Sequence, residues 1–139
     1  MDIFTTFDVS ASALKAQRIR LNTISSNMAN VETTSTPEGG PYKKKSVYFR
    51  TQAIPFKEQL DSSIKGVVVS EILEDQEEPR KKFDPSHPDA AEDGYVSMPN
   101  ISVLKEMTDM MSATRSYEAN ATVIKSAKRM ALKALEIGR

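Results

Sequence analysis

Acidic side chains and the chain's single histidine gather within about ten residues and could, by type, bind a divalent metal ion. Carboxylate oxygens and imidazole nitrogens are the ligands found in calcium and zinc sites. His87, however, lies between Ser86 and Pro88, and the chain has no second histidine for a zinc-type ligand set. Since this composition favours turns, we predict a turn-forming loop and expect no metal or other cofactor. The candidate ligands are Asp84, His87, Asp89, Glu92 and Asp93.

Two other groups of charged residues could do chemistry, namely the lysine run 43–45 and the pair Glu106 and Asp109. Phosphate-cradling loops are glycine-rich and enter a helix, whereas the glycines at 39–40 are followed by Pro41. The spacing of the two acidic residues places them on one helix face, which favours solvent or a partner subunit. Because no nucleophile is paired with a base, we predict that the protein is not an enzyme.

The elements that must position these residues are set by the distribution of helix-breaking residues. All seven prolines lie in the middle of the chain, and residues 1–31 and 101–137 contain neither proline nor glycine. This distribution predicts a long helix at each end. The first should cover about 5–30, and the second should start after Asn100 or Ser102.

Large apolar residues recur every seven positions in both ends of the chain. In the first end, the polar Ser10 and Gln17 interrupt the companion positions of this repeat. The pattern predicts coiled-coil-like packing, either between the two ends or between copies of the chain. The residues predicted to carry the contact, called the seam here, are Leu14, Leu21, Ile24, Met28, Met107, Met110, Tyr117, Ile124 and Leu135.

The middle of the chain has the composition of strands and turns. Residues 42–56 and 66–73 are rich in β-branched and aromatic side chains and predict two strands, joined by a connection at 56–64. The mixed-charge stretch 74–82 predicts a solvated loop or hairpin tip, and the proline-containing segment 83–100 predicts a loop. The expected fold is α+β, with two long terminal helices paired as a coiled-coil-like layer beside a small β-rich middle domain. The predicted units are residues 1–31, 32–100 and 101–139.

Charge is balanced over the whole chain but not along it. The formal net charge is zero, so no global basic field attracts nucleic acid or a membrane. Residues 32–100 carry nine basic and thirteen acidic groups, whereas residues 101–139 carry seven basic and four acidic groups. This difference suits lateral contact between unlike surfaces, and it also suits an ordinary solvated surface.

Cysteine and long apolar segments are both absent from the sequence. With no cysteine, disulfide frameworks and thiolate catalysis are excluded. The first nine residues show no basic residue followed by a continuous apolar core, so we predict no cleaved secretory signal. No stretch approaches the ~20 apolar residues of a membrane span, so we predict no direct membrane insertion.

Two groups of residues resemble the flagellar rod and hook proteins. The run from Ala11 to Thr34 looks like the N-terminal signature of that family, because it ends in Asn-Met-Ala-Asn at 27–30 followed by threonine. The glycine usual soon after that threonine is displaced here to Gly39. Asn27 and Asn30 are predicted either to cross-link the turn that leaves the first helix or simply to end that helix.

The second group lies in the C-terminal half and is more specific. The segments 83–90, 94–100 and 115–120 are similar to those of a rod subunit. The resemblance covers roughly residues 3–34 and 83–139, and residues 35–82 carry only weak support. The residues that match the family motifs are Asn27, Ala29, Asn30, Asp84, Pro85, His87, Pro88, Gly94, Tyr95, Pro99, Asn100, Tyr117 and Asn120.

The resemblance implies a structural subunit of the proximal rod of the bacterial flagellar basal body, where the rod spans the periplasm. Members of this family are exported by the flagellar type III apparatus without a cleaved signal, and they polymerise into a hollow helical axial tube. Their terminal helices line the channel while the middle lies outside. The implied partners are other copies of the chain, the rod proteins FlgB, FlgF and FlgG, the base protein FliE and the flagellar export apparatus.

Assembly is the mechanism that the interrupted seam favours. An isolated pair of such helices buries little, so we expect burial to be completed between subunits and the terminal segments to be partly disordered in the free monomer. Two alternatives stay open. A soluble helical adaptor or export chaperone binding a client helix would share the heptads, but it leaves segment 83–100 without a purpose. A small metal- or phosphate-dependent enzyme is supported only by the acidic cluster and the lysine run.

Overall fold

The computed structural model describes residues 3–53 and 65–137. The α+β fold class is confirmed, because two long helices stand before and after a middle region of antiparallel strands in the chain. Neither helix combines the length and the apolarity that a membrane crossing needs. The connection predicted at 56–64 lies outside the described residues. In chain order the elements are α1 (Ile3–Ala29), β1 (Lys45–Ala53), β2 (Lys65–Glu74), β3 (Arg80–Phe83), β4 (Tyr95–Met98) and α2 (Val103–Ile137).

The helices begin and end close to the predicted positions. The carbonyl of Ser102 accepts the amide of Glu106 at 3.0 Å, so α2 starts directly after one of the two predicted cap residues. At the end of α1, the side-chain amide of Asn30 donates to the carbonyl of Ser26 at 2.8 Å. The same carbonyl also accepts the backbone amide of Asn30 at 3.1 Å, so Asn30 is bonded twice to the last turn of the helix.

The two helices lie antiparallel. Asn27 near the end of α1 contacts Glu106 near the start of α2, and Arg20, about two turns earlier on α1, pairs with Asp109. With about 1.5 Å of rise per residue in both helices, Ile3 then lies level with about residues 127–130. The last two turns or so of α2 therefore extend past the described start of α1.

Small side chains form the contact between the helices. Ala16 on α1 and Ala113 and Ala127 on α2 are buried, as is Ser10, which the repeat pattern treats as an interruption. Small residues allow the two backbones to approach closely, so the larger residues are displaced to the flanks. On α2 the buried residues Glu106, Ala113 and Ala127 are therefore offset by three positions from the row of large residues that suggested the seam.

Strands β1 and β2 form an antiparallel ribbon that runs along α1, with a bulge between Tyr48 and Phe49. Near the start of β2, the amide of Val67 donates to Ser12 Oγ on α1 at 3.0 Å. A Cβ added at the neighbouring Gly66 would lie 3.0 Å from that same oxygen. The missing side chain of Gly66 thus permits the close approach of strand and helix.

Strands β3 and β4 form a second antiparallel sheet, in which Phe83 lies opposite Tyr95. Their rings meet edge to face with centroids 5.2 Å apart. Both strands lie in segments predicted to be loops, so those two predictions are wrong in part. Val96 and Met98 are buried while Tyr95 and Ser97 are exposed, a strand alternation that the surrounding prolines obscured.

Candidate functional site

Five residues meet where the end of α1, the start of β1 and the start of α2 come together. Two of them, Asn27 and Glu106, are each only 1% exposed although both are polar. Buried polar groups destabilise a fold unless they are hydrogen-bonded or paired, so their partners decide whether the site stabilises the fold. The cluster, called the junction here, comprises Asn27, Tyr42, Lys44, Lys45 and Glu106.

The side-chain amide of Asn27 uses its full hydrogen-bonding capacity. Its Nδ2 donates to the carbonyl of Lys45 at 2.8 Å and to Glu106 Oε2 at 3.1 Å. Its Oδ1 accepts the amide of Lys45 at 2.9 Å and the hydroxyl of Tyr42 at 3.1 Å. Two donors and two lone pairs are all that an asparagine amide offers. Asn27 therefore cross-links α1 to both β1 and α2.

Glu106 is held inside its own chain by charge as well as by this hydrogen bond. The Lys44 ammonium lies 2.7 Å from Glu106 Oε1, and both side chains are largely buried. The expectation that Glu106 faces solvent or a partner subunit is therefore wrong, because a lysine and an asparagine of the same chain enclose it. Asp109 differs, since it pairs with Arg20 at 3.3 Å where both side chains are about one-third exposed. Pairs of that kind contribute little to stability.

The predicted seam residues do not converge on one intramolecular core. Ile24 is buried, whereas Met107, Tyr117 and Leu135 are exposed, Leu135 at 71%. These large side chains flank the buried alanine row on the two helices. Their coverage by other subunits stays a prediction. The half-buried members are Leu14, Leu21, Met28, Met110 and Ile124.

The solvent-facing surface of α2 carries further large apolar side chains along its whole length. Large apolar side chains that are exposed on one side of a helix make that side a candidate interaction site. The basic and polar residues between them keep the helix hydrated. This surface, called the outer face of α2 here, comprises Leu104, Met111, Val123, Met130 and Ile137.

The acidic loop between β3 and β4 is built from turns. His87 Nδ1 accepts the amide of Asp89 at 3.1 Å, and Asp93 Oδ1 accepts the amide of Tyr95 at 3.2 Å. Asp89 Oδ2 accepts the hydroxyl of Thr34 at 2.7 Å, which ties the loop to the segment that follows α1. Within residues 3–53 and 65–137, no three histidine or acidic side chains converge as a metal site. Three of the candidate ligands, His87, Asp89 and Asp93, are thus engaged in hydrogen bonds within the chain.

Gly94 closes this loop in a conformation that suits glycine alone. Its φ is +77°, and an added Cβ would lie 2.9 Å from the ring of Phe83. Its amide donates to the carbonyl of Ala91 at 2.8 Å, and its carbonyl accepts the amide of Asp84 at 3.0 Å. The motif glycine therefore brings the aromatic pair of the second sheet together.

The other motif residues lie apart from the junction. Asn100 Nδ2 donates to Glu77 Oε2 at 2.7 Å, and Asn120 Nδ2 donates to the carbonyl of Ser116 at 2.8 Å. Pro99 is buried beside the start of α2, whereas Ala29, Pro85, Pro88 and Tyr117 are exposed. The motif therefore serves several local contacts within the chain.

Several junction residues were not predicted as a site. The sequence suggests Lys44 only as a phosphate ligand and Tyr42 only as a strand residue. The sequence contains one signal for the junction. Glu106 lies in the same seven-residue row as Ala113, and a charged residue in a buried row needs a partner. The partner itself, 79 positions away in the case of Asn27, could not be read from local spacing.

Comparison with known proteins assigns the family. The family model described as "Flagella basal body rod protein" matches residues 7–35, and "Flagellar basal body rod FlgEFG protein C-terminal" matches residues 92–137. The flagellar basal-body rod protein FlgC of Bacillus subtilis (strain 168) is 44% identical, with 100% of both chains covered. That of Borreliella burgdorferi is 42% identical over 99% of this chain and 98% of the relative. That of Aquifex aeolicus is 47% identical over 86% and 85%, respectively. The chain belongs to the family of the flagellar basal-body rod protein FlgC.

Proposed function

We propose that this chain is a structural subunit of the flagellar basal-body rod that polymerises into a hollow helical tube through its terminal helices. Membership of the family supports the role as a rod subunit. The observation that carries the assembly mechanism is the outer face of α2, where large apolar side chains are exposed while alanines are buried. Burial of such a face by other subunits removes apolar surface from water and so stabilises the polymer.

The proposal includes the layering of the tube that the family resemblance implies. The terminal units 1–31 and 101–139 form the inner layer that lines the channel, and the unit 32–100 lies outside it. The ribbon of β1 and β2 supports this division, since among the described residues it packs on α1 and not on α2. The neighbours in the rod are other copies of the chain, FlgB, FlgF and FlgG, with FliE at the base.

Delivery to the rod occurs through the flagellar export apparatus without removal of a signal peptide. A helix pair whose described contact consists largely of small side chains unfolds at low cost, because little apolar area is exposed when it separates. Low resistance to unfolding suits passage through a narrow export channel. The rod then spans the periplasm.

A deletion strain tests the role directly. Removing the gene should stall the basal body before the rod is complete, and the wild-type chain should restore both rod and swimming. A basal body that forms a complete rod without this chain would contradict the proposal.

Substitutions in the seam test the part played by the helices. Leu21→Asp and Ile124→Asp place a carboxylate in an apolar interface, so rod assembly and motility should be lost. His87→Ala is the matched loop control and should retain both. The secreted amount of each variant is measured alongside, because a destabilised subunit is degraded before export. Loss with His87→Ala and retention with both seam variants would assign the function to the loop.

Hydrogen exchange tests ordering on assembly. Amide hydrogens before about Thr33 and after about Ser102 should exchange faster in the free subunit than in the assembled form. Equal protection in both states would show that the helices need no partner.

Measurements of oligomer size and calorimetric titrations distinguish the rod subunit from the two alternatives, a helical adaptor or chaperone and an enzyme. An adaptor or export chaperone should form a defined small oligomer, whereas a rod subunit should be a monomer that polymerises or binds rod partners. Removal of the two terminal helices should abolish this behaviour. Heat released on titration with divalent metals or nucleotides would instead support the enzyme. We propose that the chain has no catalytic activity, in keeping with relatives that are named as rod proteins.

A further inference from the structure

The free end of α2 combines exposed apolar and basic side chains. It continues past the described start of α1, and Ile137 is 85% exposed. Lys125 and Lys128 make no ion pair within the described residues, and Lys133 pairs only with Glu136 on the helix surface. The residues that share one face of the helix there, three or four positions apart, are called the basic end here and comprise Lys125, Lys128, Leu132 and Leu135.

The end of β2 combines exposed apolar and acidic side chains. Ile72 and Leu73 are both exposed although they point to opposite faces of the ribbon. Within the described part of the chain, Glu71 and Glu78 have no basic partner, and the ion pair of Glu74 is exposed. The acidic stretch stops at Pro79. This surface, called the acidic edge here, comprises Glu71, Ile72, Leu73, Glu74, Glu77 and Glu78.

The two surfaces lie at opposite ends of the molecule. Glu74 pairs with Lys45, whose backbone is bonded by Asn27, so the acidic edge lies at the junction. From Glu106 at the junction, Lys128 lies about 33 Å along α2 at the usual helical rise. A single chain cannot bring its own two surfaces together while the helices stay paired, whereas a second copy can.

We propose that the basic end of one copy docks on the acidic edge of the next copy. Each surface has an apolar part bordered by charge, and the charges are of opposite sign, which is the arrangement that gives orientation and specificity in interfaces. Because the contacting surfaces differ, the contact is heterologous and leaves an unused surface at each end of the pair. It deepens the proposed function, on which it rests, by naming the surfaces that join copies of the chain.

Mixing two charge-reversed variants tests the contact. The first carries Lys125→Glu and Lys128→Glu, and the second carries Glu71→Lys and Glu78→Lys. In sedimentation over a concentration series, each variant alone should associate at least about tenfold more weakly than the wild-type chain. An equimolar mixture should associate as the wild-type chain does, because the two intact surfaces pair as before and the two reversed surfaces also carry opposite charges. The reversed charges are exposed, and circular dichroism checks that both variants stay folded.

Two outcomes overturn the contact. One is a mixture that behaves like the separate variants, and the other is a wild-type chain that stays monomeric at every concentration. Lys105→Glu and Glu92→Lys, which reverse exposed charges outside both surfaces, should associate as the wild-type chain does. If the reversed variants restored swimming to the deletion strain, the contact would be wrong while the rod function would stand. If the wild-type chain failed to restore swimming, the proposed function itself would be wrong.

Discussion

The face of α2 that packs on α1 and the face that points to solvent differ in the size of their side chains. Ala113 and Ala127 are buried on the inner face, whereas Leu104 and Met111 are exposed on the outer face. Folded monomers usually bury their large apolar residues and leave polar ones outside. Here the contact within the chain buries small side chains, and the proposed assembly is what would bury the large ones.

The difference in side-chain size between the two faces is also a difference in the free energy that burial can contribute. Fully burying one large aliphatic side chain contributes about 1.5–3 kcal/mol, and an alanine contributes far less. The helix pair of a free subunit is therefore held chiefly by close backbone approach and by the junction. Covering the outer face in the proposed assembly would add burial of this size for each large side chain that is fully covered.

Overpacking the inner face should give the largest effect on the free subunit. Ala113 is fully buried, so Ala113→Leu forces the helices apart and should lower the free energy of unfolding by about 3 kcal/mol. Denaturant unfolding followed by circular dichroism measures the change. Thr114→Leu, on the exposed neighbour, is the control and should change stability by less than about 0.5 kcal/mol. Equal losses from the two variants would mean that the inner face is not closely packed.

Breaking the junction should have the second-largest effect on the stability of the free subunit. Asn27→Ala removes four hydrogen bonds and leaves the Lys45 backbone groups and the Glu106 carboxylate without their amide partner. Unfolding should be easier by about 2 kcal/mol, measured in the same way. Asn22→Ala, at an exposed position of α1, should be nearly neutral. If the two substitutions lowered the free energy of unfolding equally, the junction would not be a stabilising site.

The second sheet provides a comparison outside the helix pair. Gly94→Ala should cost about 1–2 kcal/mol, because the residue has a positive φ and the new methyl group meets the ring of Phe83. Gly40→Ala is a matched control, since Gly40 has the same φ of +77° with open space around it. The excess cost at Gly94, read from thermal unfolding, reports the ring contact. No excess would mean that Phe83 moves aside freely.

The outer face should respond least in the free subunit. Met111 is 56% exposed, so Met111→Asp should change the free energy of unfolding by less than about 0.5 kcal/mol. The same substitution should abolish rod assembly, which motility and secreted subunit level measure together. Ser112→Asp, the exposed polar neighbour, should retain swimming. A variant with Met111→Asp that swims normally would show that this part of the outer face stays uncovered in the rod.

The sequence could predict the helices because long segments without proline or glycine leave few other local structures. It could predict the ribbon of β1 and β2 for a similar reason, since the run Val67–Val69 favours strands. The short strands β3 and β4 were missed because Arg80–Lys82 carries only charge and four residues give too little alternation. Tertiary pairing of Phe83 with Tyr95 decides those strands.

The candidate site was harder to predict than the fold. Heptad spacing identified the right helices but ranked positions by side-chain size, which favoured Leu21 over Ser10 and Tyr117 over Ala113. Close helix packing reverses that ranking, because only small residues fit between backbones that approach closely. The junction depends on Lys44 and Glu106 meeting across a long stretch of sequence, and periodicity carries no information about such pairs.

The amide of Asn27 gives β1 a protected border. In an antiparallel ribbon, every second residue directs both its N–H and its C=O away from the partner strand, and Lys45 presents these two groups to Asn27. A side chain thereby fills the place that a third strand would take. Open strand borders recruit strands from other molecules and seed fibrous aggregates. With Lys45 blocked, crowded copies that await incorporation cannot extend the sheet from this position, so disordered clumping loses one of its starting points.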